Sequence, residues 1–222
     1  MLDLWHEFLR LFTELDVALG EIIAKHGAWT YAILFAIVFA ETGLVITPFL
    51  PGDSLLFAAG ALSAQGGLDI PLMMVILFTA AVLGDALNYH IGKAIGPPAF
   101  SGKFKLLKKS HLEKTQAFFD KHGGKAIIYA RFVPIIRTFA PFVAGVGTMS
   151  YPRFLSYNII GALLWIVGFV GAGALFGNIP LIKNNFSKVI LVIIFVSVLP
   201  IAFEWYKVWR AGRNTQQNRV SK

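Results

Sequence analysis

Four ionisable residues lie inside apolar sequence, sorted by sign into two segments. Glu41 and Asp53 fall within AILFAIVFAETGLVITPFLPGDSLLFAAGAL, and Arg131 and Arg137 within AIIYARFVPIIRTFAPFVAGV. Each charge held at bilayer depth costs about 2.5–3.5 kcal/mol on insertion scales, so four left unpaired would cost about 10–14 kcal/mol. A chain tolerates this only where the charges meet one another, water or a charged substrate. Guanidinium stays ionised and presents a planar fork that fits carboxylate or phosphate. A carboxylate can take up a proton: desolvation favours its neutral form and a neighbouring guanidinium its charged form, so protonation would switch the pairing. Two arginines near mid-depth would supply bidentate contacts to an anion such as a lipid phosphate.

The rest of the composition places these charges in a membrane. Of 222 residues, 56% are hydrophobic and only 14% charged, and the mean hydropathy is +0.67. Soluble domains carry about 25% charged residues. The chain has no cysteine, which removes disulfides and thiolate-bound metals. The net charge of +8 is uneven. Lys93, Lys103, Lys105, Lys108, Lys109, Lys114, Lys121 and Lys125 crowd one polar stretch, and Lys207, Arg210, Arg213, Arg219 and Lys222 form a basic tail. Both read as cytoplasmic segments obeying the positive-inside rule rather than as a nucleic-acid surface.

Hydropathy and helix breakers then divide the chain. Residues 1–27 predict an amphipathic N-terminal helix, lying in the interface or packed on the protein's own helices, with no basic region of the kind that opens a cleavable signal peptide. Residues 28–65 form two apolar arms around Pro48, Pro51 and Gly52, the pattern of a re-entrant hairpin. Broken backbone at membrane depth is tolerated where it is buried in protein or lines a wet cavity. Residues 71–95 predict a full span, and residues 126–149 a second broken segment with Pro134 and Pro141. Residues 154–177 and 188–206 predict two more spans, and residues 207–222 a cytoplasmic tail. With the basic stretches inside, the first hairpin enters from the outer face and the second from the inner.

An internal repeat supports that plan. Lys25-His26-Gly27 recurs as Lys121-His122-Gly123, and counting on from each glycine sets Glu41-Thr42 against Arg137-Thr138. A Gly-rich span follows each broken segment. The expected fold is therefore an all-α integral membrane protein, an inverted repeat (about 25–96 and 121–177) with two opposed re-entrant hairpins. Discontinuous helices in opposed repeats are the plan of many secondary transporters, whose site lies near the midplane.

Other polar residues carry weaker signals. Asp85 and Asn88 lie three apart on one helix face and could line the path or assist a coupling cation, although a local cluster bonded to neighbouring backbone is the simpler reading. Ser54 and Thr138 adjoin the charges and are accessory candidates. His90 reads as a satisfied interface histidine, and His111 and His122 lack metal-ligand spacing. Gly92-x-x-x-Gly96 and Gly173-x-x-x-Gly177 permit close helix packing.

Glu41, the run PFLPGDS, GDALNYHIG and RFVPIIRTFAPFVAG together resemble the bacterial DedA family, over about residues 15–205. The resemblance implies a core (VTT) domain shared with eukaryotic lipid-scrambling proteins of autophagy. It implies a role in moving undecaprenyl phosphate or other phospholipids across the bacterial plasma membrane, driven by a proton or sodium gradient. The family's essential acidic pair falls on Glu41 and Asp53 and its essential arginine pair on Arg131 and Arg137. The partners expected on this basis are a lipid phosphate headgroup, protons or sodium and the membrane; no cofactor, metal or catalytic residue is expected. Two other classes remain open: a proton or sodium exchanger without lipid substrate, and a lipid phosphatase or transferase. The last would need a nucleophile or clustered acids near the headgroup.

Overall fold

The computed structural model of the chain describes residues 15–44, 52–64, 66–101, 109–147 and 149–177, with isolated positions at 179, 180, 189 and 192. The first part of the N-terminal helix, the prolines Pro48 and Pro51, nearly all of the 188–206 span and the basic tail lie outside the described residues. Among those described, every regular element is a helix: α1 (Leu15–His26), α2 (Trp29–Gly43), α3 (Gly52–Ala64), α4 (Ile70–Ile95), α5 (Lys109–His122), α6 (Ala126–Ala130), α7 (Pro134–Val146) and α8 (Tyr151–Phe176).

The two long helices set the frame. Each has 26 residues, a proline at its start and a glycine cap at its end, Gly96 for α4 and Gly177 for α8. At 1.5 Å per residue each is about 39 Å long, enough to cross a hydrocarbon core of about 30 Å. They run antiparallel. Val82 of α4 meets Asn158 of α8, and seven residues further on Tyr89 stacks on Phe154 and packs against the tilted ring of Tyr151.

The shorter helices pack on these two in matched fashion. α2 runs beside α4, from Tyr31, whose hydroxyl accepts from the Asp69 N–H at 2.8 Å, to Gly43, which lies against Gly84 at the middle of α4. α3 then runs back beside α8, with Phe57 against Gly173 and Ala61 against Gly177. In the second half, α6 runs beside α8, with Gly124 against Tyr157 and Ile128 against Gly161; α7 runs beside α4, with Phe142 against Gly92. The closest approaches need glycine. A Cβ on Gly60 would strike the Val170 carbonyl, and one on Gly145 the Tyr89 carbonyl. Small residues at such crossings let helices approach closely where lipid supplies no hydrophobic drive.

Sequence expectations and structure differ at several points. Gly96 caps α4 at φ 66° instead of packing with Gly92. Pro141 lies inside α7 and breaks nothing; the break of the second segment is Arg131–Val133, just before Pro134 at the start of α7. Glu41 ends the first arm of its segment whereas Arg137 lies in the second arm of its own, because α6 is ten residues shorter than α2. The counted equivalence of Glu41 with Arg137 therefore gives way to Glu41 with Arg131. Lys25-His26-Gly27 and Lys121-His122-Gly123 do match in structure: each ends a helix, and Gly27 (φ 50°) and Gly123 (φ 59°) both take the left-handed region. The basic stretch also holds an amphipathic helix, α5, which buries Leu112 and Thr115 and packs on Ala99, Phe139 and Phe142.

Candidate functional site

The ends of α2 and α6 and the starts of α3 and α7 bring the charges to the middle of α4 and α8. Glu41 sits in the last turn of α2 and is 4% exposed. Asp53 is the second residue of α3, whose Gly52 lies so close to the Glu41 carboxylate that a Cβ there would displace it. Arg137, in the first turns of α7 and 8% exposed, joins the two. Its Nη2 donates to Glu41 Oε1 at 2.5 Å and its Nη1 to Asp53 Oδ1 at 2.7 Å. Of the four charges singled out in the sequence, three thus form one bridge across both broken segments.

Arg131 does not join that bridge. It caps α6 and is 2% exposed, and its Nη2 donates to Asp85 Oδ2 and to Asn158 Oδ1, both at 2.6 Å. Asn158 in turn donates to the Val82 carbonyl at 3.1 Å, tying α8 to α4. Arg131 Nε and Nη1 are buried without a hydrogen-bond partner among the described residues. Asp85 is therefore the counter-ion of an arginine, not a member of a local backbone cluster. Asn88 does bond backbone, but across helices: its Nδ2 donates to Thr42 O at 3.2 Å and Thr138 O at 2.9 Å, joining α4 to α2 and α7. Ser54 and Thr138 are both buried beside the charges. His90 Nδ1 lies 2.7 Å from Ala86 O, away from the cluster.

Two residues of the site were not singled out from the sequence. Trp165, fully buried in α8, donates from Nε1 to Asp53 Oδ1 at 2.8 Å, and both guanidiniums lie over its ring. Its signal was position: tryptophan concentrates at membrane interfaces, and Trp165 lies mid-span. Asn158 was legible in the same way, as an isolated amide in an apolar run.

Counted together, three carboxylates face two guanidiniums, which leaves one excess negative charge among these buried groups when all are ionised. One proton or one monovalent cation balances it. Among the described residues no group of three His, Asp or Glu could hold a metal ion. The cavity between α5 and the start of α8, lined by Gln116, Asp120, Gly124, Ser150 and Arg153, does not include the charged cluster.

Comparison with known proteins places the chain among membrane proteins. The pattern of the VTT domain matches residues 50–175. Protein DedA of Escherichia coli K12 is 52% identical over 95% of this chain and 98% of its own length. An uncharacterized membrane protein of Mycobacterium tuberculosis H37Rv is 43% identical over 88% of each chain. Inner membrane protein YghB of Escherichia coli K12 is 36% identical over 78% of each. No solved structure matches the chain. With the domain pattern over more than half its length and such identity over nearly all of it, the chain belongs to the DedA family of VTT-domain membrane proteins.

Proposed function

We propose that this protein moves an anionic lipid phosphate, undecaprenyl phosphate or a phospholipid, across the bacterial inner membrane, and that it works as a transporter rather than an enzyme. The observation that carries this reading is the Arg137 bridge to Glu41 and Asp53. A guanidinium held by two carboxylates at the meeting point of two broken segments can exchange them for a phosphate of similar geometry. Phosphate takes the arginine as Glu41 or Asp53 accepts a proton, and the site then opens to the other face. The single excess carboxylate supports coupling to a proton or sodium gradient, since it is balanced by one such ion.

The architecture supports the same reading. α2 ends beside the middle of α4 and α3 leads back beside α8, which is the course of a re-entrant hairpin; α6 likewise ends beside the middle of α8 and α7 leads back beside α4. Antiparallel α4 and α8 support an inverted repeat, whose two halves can rock about a site between them. Arg153 and the lysines of α5 then face the cytoplasm.

The excess carboxylate also favours a second reading, a cation exchanger with no lipid cargo. Purified protein in liposomes separates the classes. A transporter of this kind changes the headgroup accessibility of undecaprenyl phosphate or phosphatidic acid, faster with a pH gradient imposed. An exchanger takes up ions with no lipid moved, and an enzyme releases phosphate. No lipid movement under any gradient would overturn the leading reading.

A further inference from the structure

Trp165 makes more polar contacts than packing requires. Its indole is fully buried among the apolar side chains between α3, α4 and α8, with Phe169 edge-on at 6.5 Å. A purely packing residue there needs no polar partner. Trp165 instead spends its single donor on Asp53, at 2.8 Å. Its ring carries the Arg137 Cζ at 5.2 Å from the centroid and the Arg131 Cζ at 5.7 Å. Both distances fall within the range where a cation is drawn to the negative face of the ring, and the attraction grows when water is excluded.

Two like charges therefore share one aromatic residue, although their carboxylate partners differ: Glu41 and Asp53 for Arg137, Asp85 for Arg131. Trp165 thus touches both ion-pair systems. It is placed to do so by the middle of α8, where Asn158 and Gly161 already meet Arg131.

We propose that Trp165 is the positioning residue of this site. Its N–H fixes Asp53 as the anchored member of the carboxylate pair, and its ring holds both guanidiniums within reach of one phosphate when the carboxylates let go. The inference rests on the lipid-phosphate reading. The two halves of the indole then have separable effects. Trp165→Phe keeps an aromatic face and loses the N–H; Trp165→Leu loses both.

The test measures initial rates of phosphatidic acid movement in proteoliposomes against its mole fraction, for the full-length protein and the two variants at equal reconstituted amounts. Trp165→Phe lowers the maximum rate and leaves the apparent KM within about twofold. Trp165→Leu raises the apparent KM about tenfold, as expected from losing two cation–π contacts. Since Trp165→Leu removes buried volume, a second measurement keeps the shape intact. Protein grown with trifluorinated tryptophan, whose ring face is less negative, shows a raised KM in the natural sequence and a smaller change in Trp165→Phe. Unchanged KM in Trp165→Leu and in the fluorinated protein would overturn the inference while leaving the transport reading standing. Absence of lipid movement by the unsubstituted protein would overturn both.

Discussion

Asp85 and Arg131 show how much a buried charge depends on its partner. Both are almost completely buried and sit 2.6 Å apart. Removing one member of such a pair typically costs about 3–5 kcal/mol, whereas replacing both by apolar residues of similar volume is often neutral. Asp85→Leu is therefore expected to destabilise the protein by about 3–5 kcal/mol, and Asp85→Leu with Arg131→Met to recover most of that loss. Equilibrium unfolding in detergent micelles checks this; equal losses in the single and double variants would mean that the two residues are not coupled. At this scale the sequence made the charges legible and the pairing only in part. The sorting of Glu41 and Asp53 against Arg131 and Arg137 is visible as four costly residues in apolar runs. Which carboxylate meets which arginine is fixed by the short α6, which stops beside Asn158 and Asp85 and sets Arg131 apart from Arg137. No count along the chain contains that offset.

The elements are held by contacts in which backbone meets backbone. α3 lies against α8 at Gly60, Gly173 and Gly177, and α7 against α4 at Gly145 and Gly92. Gly60→Val and Gly145→Val force side chains onto the carbonyls of Val170 and Tyr89, and overpacking of this kind costs about 1–3 kcal/mol. Gly168→Ala serves as the control, because nothing lies within 4 Å of the added methyl and alanine favours the helix. Thermal unfolding in detergent should show lower transitions for both valine variants and an unchanged or higher one for Gly168→Ala; a similar response from all three would contradict the packing described. The long spans were legible from hydropathy to within a few residues. α5 was not, since lysine-rich composition hides its inward stripe of buried Leu112 and Thr115 and half-buried Phe119. Pro141 misled for the opposite reason: proline marks a break in sequence, yet a helix surrounded by partners absorbs one without stopping.

For the molecule as a whole, α4 and α8 run antiparallel, as the proposed inverted repeat requires. Under the proposed topology the lysines between α4 and α6, and with them that end of α4, lie in the cytoplasm. The chain has no cysteine, so single cysteines report sidedness without background. Gln65→Cys, ahead of α4, should react with an impermeant maleimide added to intact cells, and Ser101→Cys, after α4, only once the membrane is opened. Labelling of both from outside would contradict this topology. The sequence made α4 and α8 legible as Gly-rich spans and Lys-His-Gly as a recurring motif. The agreement of α4 and α8 in helix length, proline placement and terminal glycine emerges only once the helix bounds are known. What unites the scales is Arg137, which takes two carboxylates from the first broken segment and belongs to the second. Arg137→Lys keeps the charge and loses the fork, so it tests the exchange most directly. In proteoliposomes carrying undecaprenyl phosphate, with a pH gradient and equal protein, Arg137→Lys should move lipid at least about tenfold more slowly than the unsubstituted protein, the loss of about one charge-assisted hydrogen bond. Equal rates would contradict the claim that phosphate takes the place of Glu41 and Asp53 on this guanidinium.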